Sequence, residues 1–226
     1  MRLGKRNLIA LLAALAMLAA LPAAASAAVG ASVRAVFLKE YSKPEFAMSQ
    51  GDIIVFENDD PFFTHGVFSS SFSSPVIPAL TTHLLVGAPF LRPGTYAFAD
   101  PAHPEMTSSL TVTTAGAPLP PDTVRPNAGT KILSKGKQIA KGGKVKVRLT
   151  PNEPIDVKLT ARAGKLVLGT ATRTFPIAAG GAVTILIDPA VRKRLGGRFT
   201  LEVKGRISDV AGNSTKLRKT ARLSGG

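Results

Sequence analysis

The stretch Pro93-Gly-Thr-Tyr-Ala-Phe-Ala-Asp-Pro-Ala-His-Pro-Glu-Met106 gathers metal-competent side chains more densely than any other part of the chain. Pro93-Gly94 is a turn signal, and Thr95 to Ala99 alternates small and aromatic residues with a period of two. That pattern predicts a strand with Tyr96 and Phe98 on one face. Asp100, Pro101, His103, Pro104 and Met106 follow. The two prolines exclude a helix, so Asp100, His103 and Met106 are expected on a tight, rigid loop where they can converge on one point.

Upstream, Gly51-Asp-Ile-Ile-Val-Phe-Glu-Asn58 carries a continuous apolar run suited to a sandwich interior. Turn residues from Asn58 to Pro61 end it, and Thr64-His65-Gly66-Val67 comes next. Ser32 to Phe37 also reads as a strand, and Leu110 to Thr113 alternates as a closing strand. The two motifs, in this order, resemble the ligand segments of the cupredoxins, the plastocyanin-like blue-copper proteins, over roughly Val33 to Thr113. The resemblance implies a Greek-key β-sandwich with a copper site. His65 would be the first histidine ligand, His103 the second and Met106 a weak axial donor.

One position departs from that pattern. Asp100 stands where the family has its copper-binding cysteine, and the chain contains no cysteine. The ligand set becomes His65, Asp100 and His103, with Met106 if the family geometry holds. Such nitrogen and oxygen donors suit Cu(II), the expected cofactor, and also zinc or Fe(II). Loss of the thiolate should favour Cu(II), lower the potential and remove the intense colour, leaving a type-2-like site and slow electron transfer. The alternative is a metal-free scaffold in which Asp100 caps a turn, as aspartate commonly does, and loops such as Ser69 to Thr82 meet a partner. His83 lies in the Ser/Pro/Thr-rich stretch from Phe68 to Phe90, where a lone histidine reads as solvated.

Residues 1–27 combine Arg2, Lys5 and Arg6 with a Leu/Ala run and Ala25-Ser26-Ala27. They read as a secretory signal peptide cut before Ala28, with an apolar run shorter than the roughly 20 residues a spanning helix needs. The mature protein is therefore expected to be secreted or envelope-associated, bacterial in type, with no transmembrane helix. Residues 28–114 form the cupredoxin-like domain, and residues 115–128 a Pro-rich linker that cannot continue a central strand.

Charge separates the two halves. Ala28 to Gly116 holds four Lys+Arg against eight Asp+Glu, a balance of −4, while Ala117 to Gly226 holds 22 against six, a balance of +16. Residues 129–226 read as all-β from the alternation of Lys144 to Leu149, Ile155 to Leu159 and Phe199 to Val203. Asp188 to Leu195 is expected to form one or two helical turns. Asp209-Val-Ala-Gly-Asn213 resembles the closing turn of bacterial immunoglobulin-like or fibronectin-like repeats, which implies a second β-sandwich. Its Lys144, Lys146, Arg148, Lys204, Arg206, Lys216, Arg218 and Arg222 should point outward. Such faces suit an anionic envelope polymer or lipid surface. Nucleic acid is disfavoured, because Phe175 and Phe199 are the only aromatics in this half and belong to the core or a turn, leaving no stacking platform.

No enzyme is expected. Three histidines are too few for multicopper oxidases or copper nitrite reductases, and a mature chain starting at Ala28 lacks the amino-terminal histidine of a histidine brace. No His-Glu-x-x-His, Gly-x-Ser-x-Gly or phosphate-cradling Gly-x-x-x-x-Gly-Lys occurs.

Overall fold

Strand β4, Ile53–Asn58, is the hydrophobic spine of the amino-terminal half, and five of its six residues are buried. Ile54 and Phe56 enter one core, while Ile53 and Val55 on the opposite face join a separate cluster with Leu84 and Val210. Burial on both faces explains why this run is continuously apolar instead of alternating.

The computed structural model describes residues 29–37, 39–195 and 197–224. The expected signal segment, residues 1–27, lies outside the described residues. Among the described residues nine strands precede the linker: β1 (Val29–Val36), β2 (Glu40–Tyr41), β3 (Glu45–Gln50), β4, β5 (His65–Phe68), β6 (Ser73–Ile77), β7 (Thr81–Leu84), β8 (Gly94–Ala99) and β9 (Thr107–Gly116). They form two sheets, ordered β2-β1-β4-β7 and β3-β9-β8-β5-β6. The β1–β4 and β3–β9 pairs are parallel, whereas β8 runs antiparallel to β9. Val33, Phe46, Met48, Phe56, Phe98 and Leu110 fill the space between the sheets.

Seven further strands follow among the described residues: β10 (Ala128–Ile132), β11 (Lys144–Pro151), β12 (Ile155–Ala163), β13 (Leu166–Phe175), β14 (Gly181–Leu186), β15 (Arg198–Ser208) and β16 (Ser214–Ser224). All pair antiparallel, in a three-stranded sheet β10-β11-β14 and a four-stranded sheet β13-β12-β15-β16. The fold class is therefore all-β, built of sandwiched sheets. A short helix at Gly136–Gly142, not anticipated from the strand patterns, buries Ile139. The expected helical turn after Asp188 is Pro189–Arg192, where the Asp188 side chain accepts from the Ala190 amide at 2.7 Å. Among the described residues no helix is long and apolar enough to cross a membrane.

The outward basic residues occupy two opposite surfaces. In β11, Lys144, Lys146 and Arg148 are exposed between buried Val145, Val147 and Leu149. On the other sheet, Lys204 pairs in register with Arg218, and Arg206 with Lys216. Glu202 answers two of these cations, accepting from Arg218 at 2.6 Å and lying 3.0 Å from Lys204. The positive charge thus coats both outer faces of this half.

The two halves meet along the outer face of the β4–β7 pair. Asp156 of β12 accepts from the Leu84 amide at 2.9 Å and lies 3.0 Å from His83 Nδ1. Thr174 of β13 donates to the Thr82 carbonyl at 2.9 Å. Nearby, the Gly87 amide donates to the Val210 carbonyl at 2.9 Å. Gly87 has φ +92°, and a Cβ there would lie 2.6 Å from the Ser71 carbonyl oxygen, so this junction requires glycine.

Candidate metal centre

The loop between β8 and β9 is closed by its own backbone. The His103 amide donates to the Asp100 carbonyl at 3.2 Å, the Met106 amide to the His103 carbonyl at 2.9 Å, and the Asp100 amide to the Met106 carbonyl at 3.0 Å. Pro101 lies against β5, where a Cβ on Gly66 would be only 3.2 Å from its ring carbons. The small residue beside His65 therefore lets the loop close over that histidine.

Asp100 and His65 are both fully buried. The carboxylate divides its work between its two oxygens. Oδ1 accepts from the Ala102 amide at 2.8 Å, the turn-capping role, while Oδ2 lies 2.6 Å from His65 Nδ1 and 3.3 Å from His103 Nδ1. The two imidazole rings are 4.9 Å apart between centroids. Three of the four expected site residues are thus brought together. The fourth, Met106, is buried in the sandwich core, and its backbone closes the loop.

A further residue, Asp60, belongs to this cluster and escapes a reading of the sequence. It is fully buried, with Oδ2 3.3 Å from His65 Nε2. Its Oδ1 accepts from the Phe62 and Phe63 amides at 2.7 and 3.0 Å. Burial opposes ionisation of Asp60, but those amides and His65 outweigh it and hold the carboxyl below the ordinary carboxylate range. Asn58 fixes the turn, donating to the Phe63 and Ile77 carbonyls at 3.0 and 3.1 Å and accepting from the Asp60 amide at 3.1 Å. In sequence, Asp60 is indistinguishable from a turn former between Asn58 and Pro61.

Tyr41 completes the floor, its hydroxyl donating to the Gly66 carbonyl at 2.7 Å. Burial, and then the Asp100 charge, push its pKa well above the usual phenol value. At the rim, Phe62 and Phe63 are exposed, Phe63 packs edge-on against His103, and Lys39 lies over the Phe63 ring. His103 is the histidine nearer solvent, with 13% of its side chain exposed.

The chemistry of the cluster follows from its donor count. A neutral imidazole has one N–H and one lone pair. His65 faces a carboxylate oxygen at each nitrogen, so donation to Asp60 leaves a lone pair opposed to Asp100. Something positive has to lie between them, either a proton or a cation that both atoms ligate. The donors fit a metal: His65 and His103 each turn Nδ1 toward Asp100, and a carboxylate holding the far nitrogen is the usual support of a metal-bound histidine. With bonds of about 2.0–2.1 Å, tetrahedral ligand atoms stand about 3.3 Å apart. The His103–Asp100 spacing matches this, and the His65–Asp100 spacing would have to widen.

His83 does not join the centre. It is half-buried in β7 and paired with Asp156 across the junction, so the expectation of a solvated loop residue is corrected.

Neither a family model nor a curated protein matches the chain. Cupredoxins are among the solved structures that resemble it. An oxidised amicyanin variant is 21% identical, over 37% of this chain and 82% of its own, with a TM-score of 0.32. A reduced amicyanin variant is 21% identical over 40% of this chain and 94% of its own, at the same TM-score. A purple cupredoxin from Nitrosopumilus maritimus is 19% identical over 37% and 99%, again at 0.32.

Proposed function

We propose that this protein is an exported, cupredoxin-like metal-binding protein whose cysteine-free centre takes a divalent ion, copper foremost and zinc next, at His65, Asp100 and His103. The observation that carries this reading is the meeting of two Nδ1 atoms at one oxygen of Asp100, with the far side of His65 anchored on Asp60. Bound copper would supply a one-electron couple weighted toward Cu(II), since the donors are nitrogen and hard oxygen. His65 and Asp100, both sealed from water, set the inner wall of the site. His103, with Phe63 packed edge-on against it, forms the outer face through which a small redox partner would approach. Met106 serves the loop through its backbone, while its side chain lies in the sandwich core.

The basic half would hold this centre near an anionic envelope polymer or lipid surface. Its charge covers both outer faces, which favours loose, salt-sensitive attraction over docking through one surface. Binding to vesicles of phosphatidylglycerol that vanishes in high salt is the expected behaviour. We read the protein as a binder and not an enzyme.

Copper titration of the full mature chain, followed by electron paramagnetic resonance, tests the centre. A type-2-like signal at one equivalent is expected, absent in His65→Ala. Copper uptake by the parent no greater than that of the variant would reject the assignment.

A second reading has its own observation. The 2.6 Å contact between His65 and Asp100 is a hydrogen-bond length, shorter than the spacing of two ligands on one ion. It favours a proton in that position and a metal-free scaffold used for extracellular interaction or adhesion. Protein purified without added ions and carrying no copper or zinc, yet as stable as after copper addition, would support this reading.

A further inference from the structure

A second acidic cluster lies at the junction of the two halves. Asp122 comes from the linker, Glu153 from the turn between β11 and β12, and Asp209 from the turn between β15 and β16. Each offers an oxygen, and these atoms lie within 4.8 Å of one another. Their company is unusual for this half, which holds only six acidic residues among 22 Lys+Arg. Half of those acids meet at one point, and among the described residues none of the three forms an ion pair, although cations surround them in sequence.

Asp209 provides an independent observation. It is 1% exposed, and Oδ1 accepts from the Ala211 and Asn213 amides at 2.9 and 2.8 Å. Its Oδ2 is the one buried side-chain polar atom without a hydrogen-bond partner among the described residues. An orphaned carboxylate oxygen is costly and calls for a proton, a water or a cation. The neighbouring charges select among these. Burial first, and then the charges of Asp209 and Asp122, push the Glu153 carboxyl above its ordinary value, so the three carboxylates repel one another. A water would leave that repulsion in place, whereas a divalent cation would remove it.

We infer that Asp122, Glu153 and Asp209 form a divalent-cation site of all-oxygen type, best suited to calcium, that clamps the linker to the second half. Calcium takes six to eight oxygens at 2.3–2.6 Å, so ligand oxygens on one ion span up to about 5 Å, which accommodates the observed spacing. No imidazole belongs to the cluster, which distinguishes it from the histidine centre. The chain around it is already braced: Asn213 Nδ2 donates to the Asp122 carbonyl at 3.0 Å, and Asp122 Oδ1 accepts from the Val124 amide at 2.8 Å. Next to Asp209, Val210 is buried with Ile53, Val55 and Leu84 of the first half. Loading the site would therefore stiffen both the linker and the turn that enters the β4 face.

The test uses the full mature chain, stripped with chelator and titrated with calcium chloride by isothermal calorimetry and thermal unfolding, with magnesium chloride in parallel. Calcium should bind near 1:1 and raise the unfolding temperature. Glu153→Gln and Asp122→Asn should each weaken calcium at least tenfold, while His65→Ala leaves calcium binding unchanged. Glu153→Gln should also raise the unfolding temperature of the stripped protein, because it relieves repulsion. Absence of calcium binding and of any calcium-dependent thermal shift up to about 10 mM, beyond the range of extracellular modules, would overturn the inference. Unchanged affinity in both carboxamide variants would do so as well.

Discussion

The two acidic clusters, each built round a buried carboxylate, solve one electrostatic problem in opposite ways. At the end of the first sandwich, Asp60 and Asp100 enclose His65, and every carboxylate oxygen there has a donor or imidazole partner. At the junction, Asp122, Glu153 and Asp209 face one another with one oxygen left bare. The lesson is that burial of an acid does not fix the sign of its contribution. A carboxylate with a partner stabilises the fold, and one gathered with its own kind strains it until something positive arrives.

The largest expected effect lies in the first cluster. Asp100→Ala removes the partner of a buried imidazole and the cap of the β8–β9 loop, and should cost about 3 kcal/mol or more in urea unfolding. A loss below 1 kcal/mol would mean that the cluster is held together by packing alone. Next comes Asp60→Asn. If Asp60 orients His65 toward an ion, copper affinity should fall about 10–100-fold, the usual penalty for losing a support of a metal-bound histidine. Unchanged affinity with lowered stability would assign Asp60 to folding only.

The junction cluster should respond with the opposite sign. Glu153→Gln should stabilise the calcium-free protein, by no more than about 1 kcal/mol because solvent screens this half-exposed group. A destabilised variant would erase the contrast between the clusters.

The smallest effect concerns His83. Burial works against its charged form, but the hydrogen bond and charge of Asp156 outweigh that and raise its pKa above 6.5. A raised pKa means that the folded state binds the proton more tightly. The pair's contribution is therefore complete below about pH 6.5 and fades as pH rises through the elevated value. Thermal scans from pH 5.5 to 9 should show a decline that His83→Gln flattens, amounting to about 0.5 kcal/mol for such a partly exposed pair.

How far the sequence reveals this molecule depends on whether a residue's role is local. Asp100 and His103 were legible because prolines and turn spacing confine them to one loop. The alternation of β11 was legible because its two faces meet different solvents. Asp60 was hidden because turn formation and histidine support call for the same side chain, and only the fold separates it from Asp59. β3, Glu45–Gln50, is hard to see in the sequence although Phe46 and Met48 alternate inward, since its parallel partner β9 lies about 60 residues away. His83 and Asp156 are 73 positions apart, so neither residue announces the other. The unusual apolarity of β4 was visible, but its cause, a second half covering the outer face, was not.

That doubly covered strand has a consequence for how the chain can be divided. Cleavage between Gly116 and Ala128 would strip Val210 from Ile53, Val55 and Leu84 and leave a waxy stripe on the severed fragment. Such a piece should self-associate, as an open hydrophobic strip on a sheet tends to do. The halves are therefore obliged to travel together, each acting as the other's raincoat.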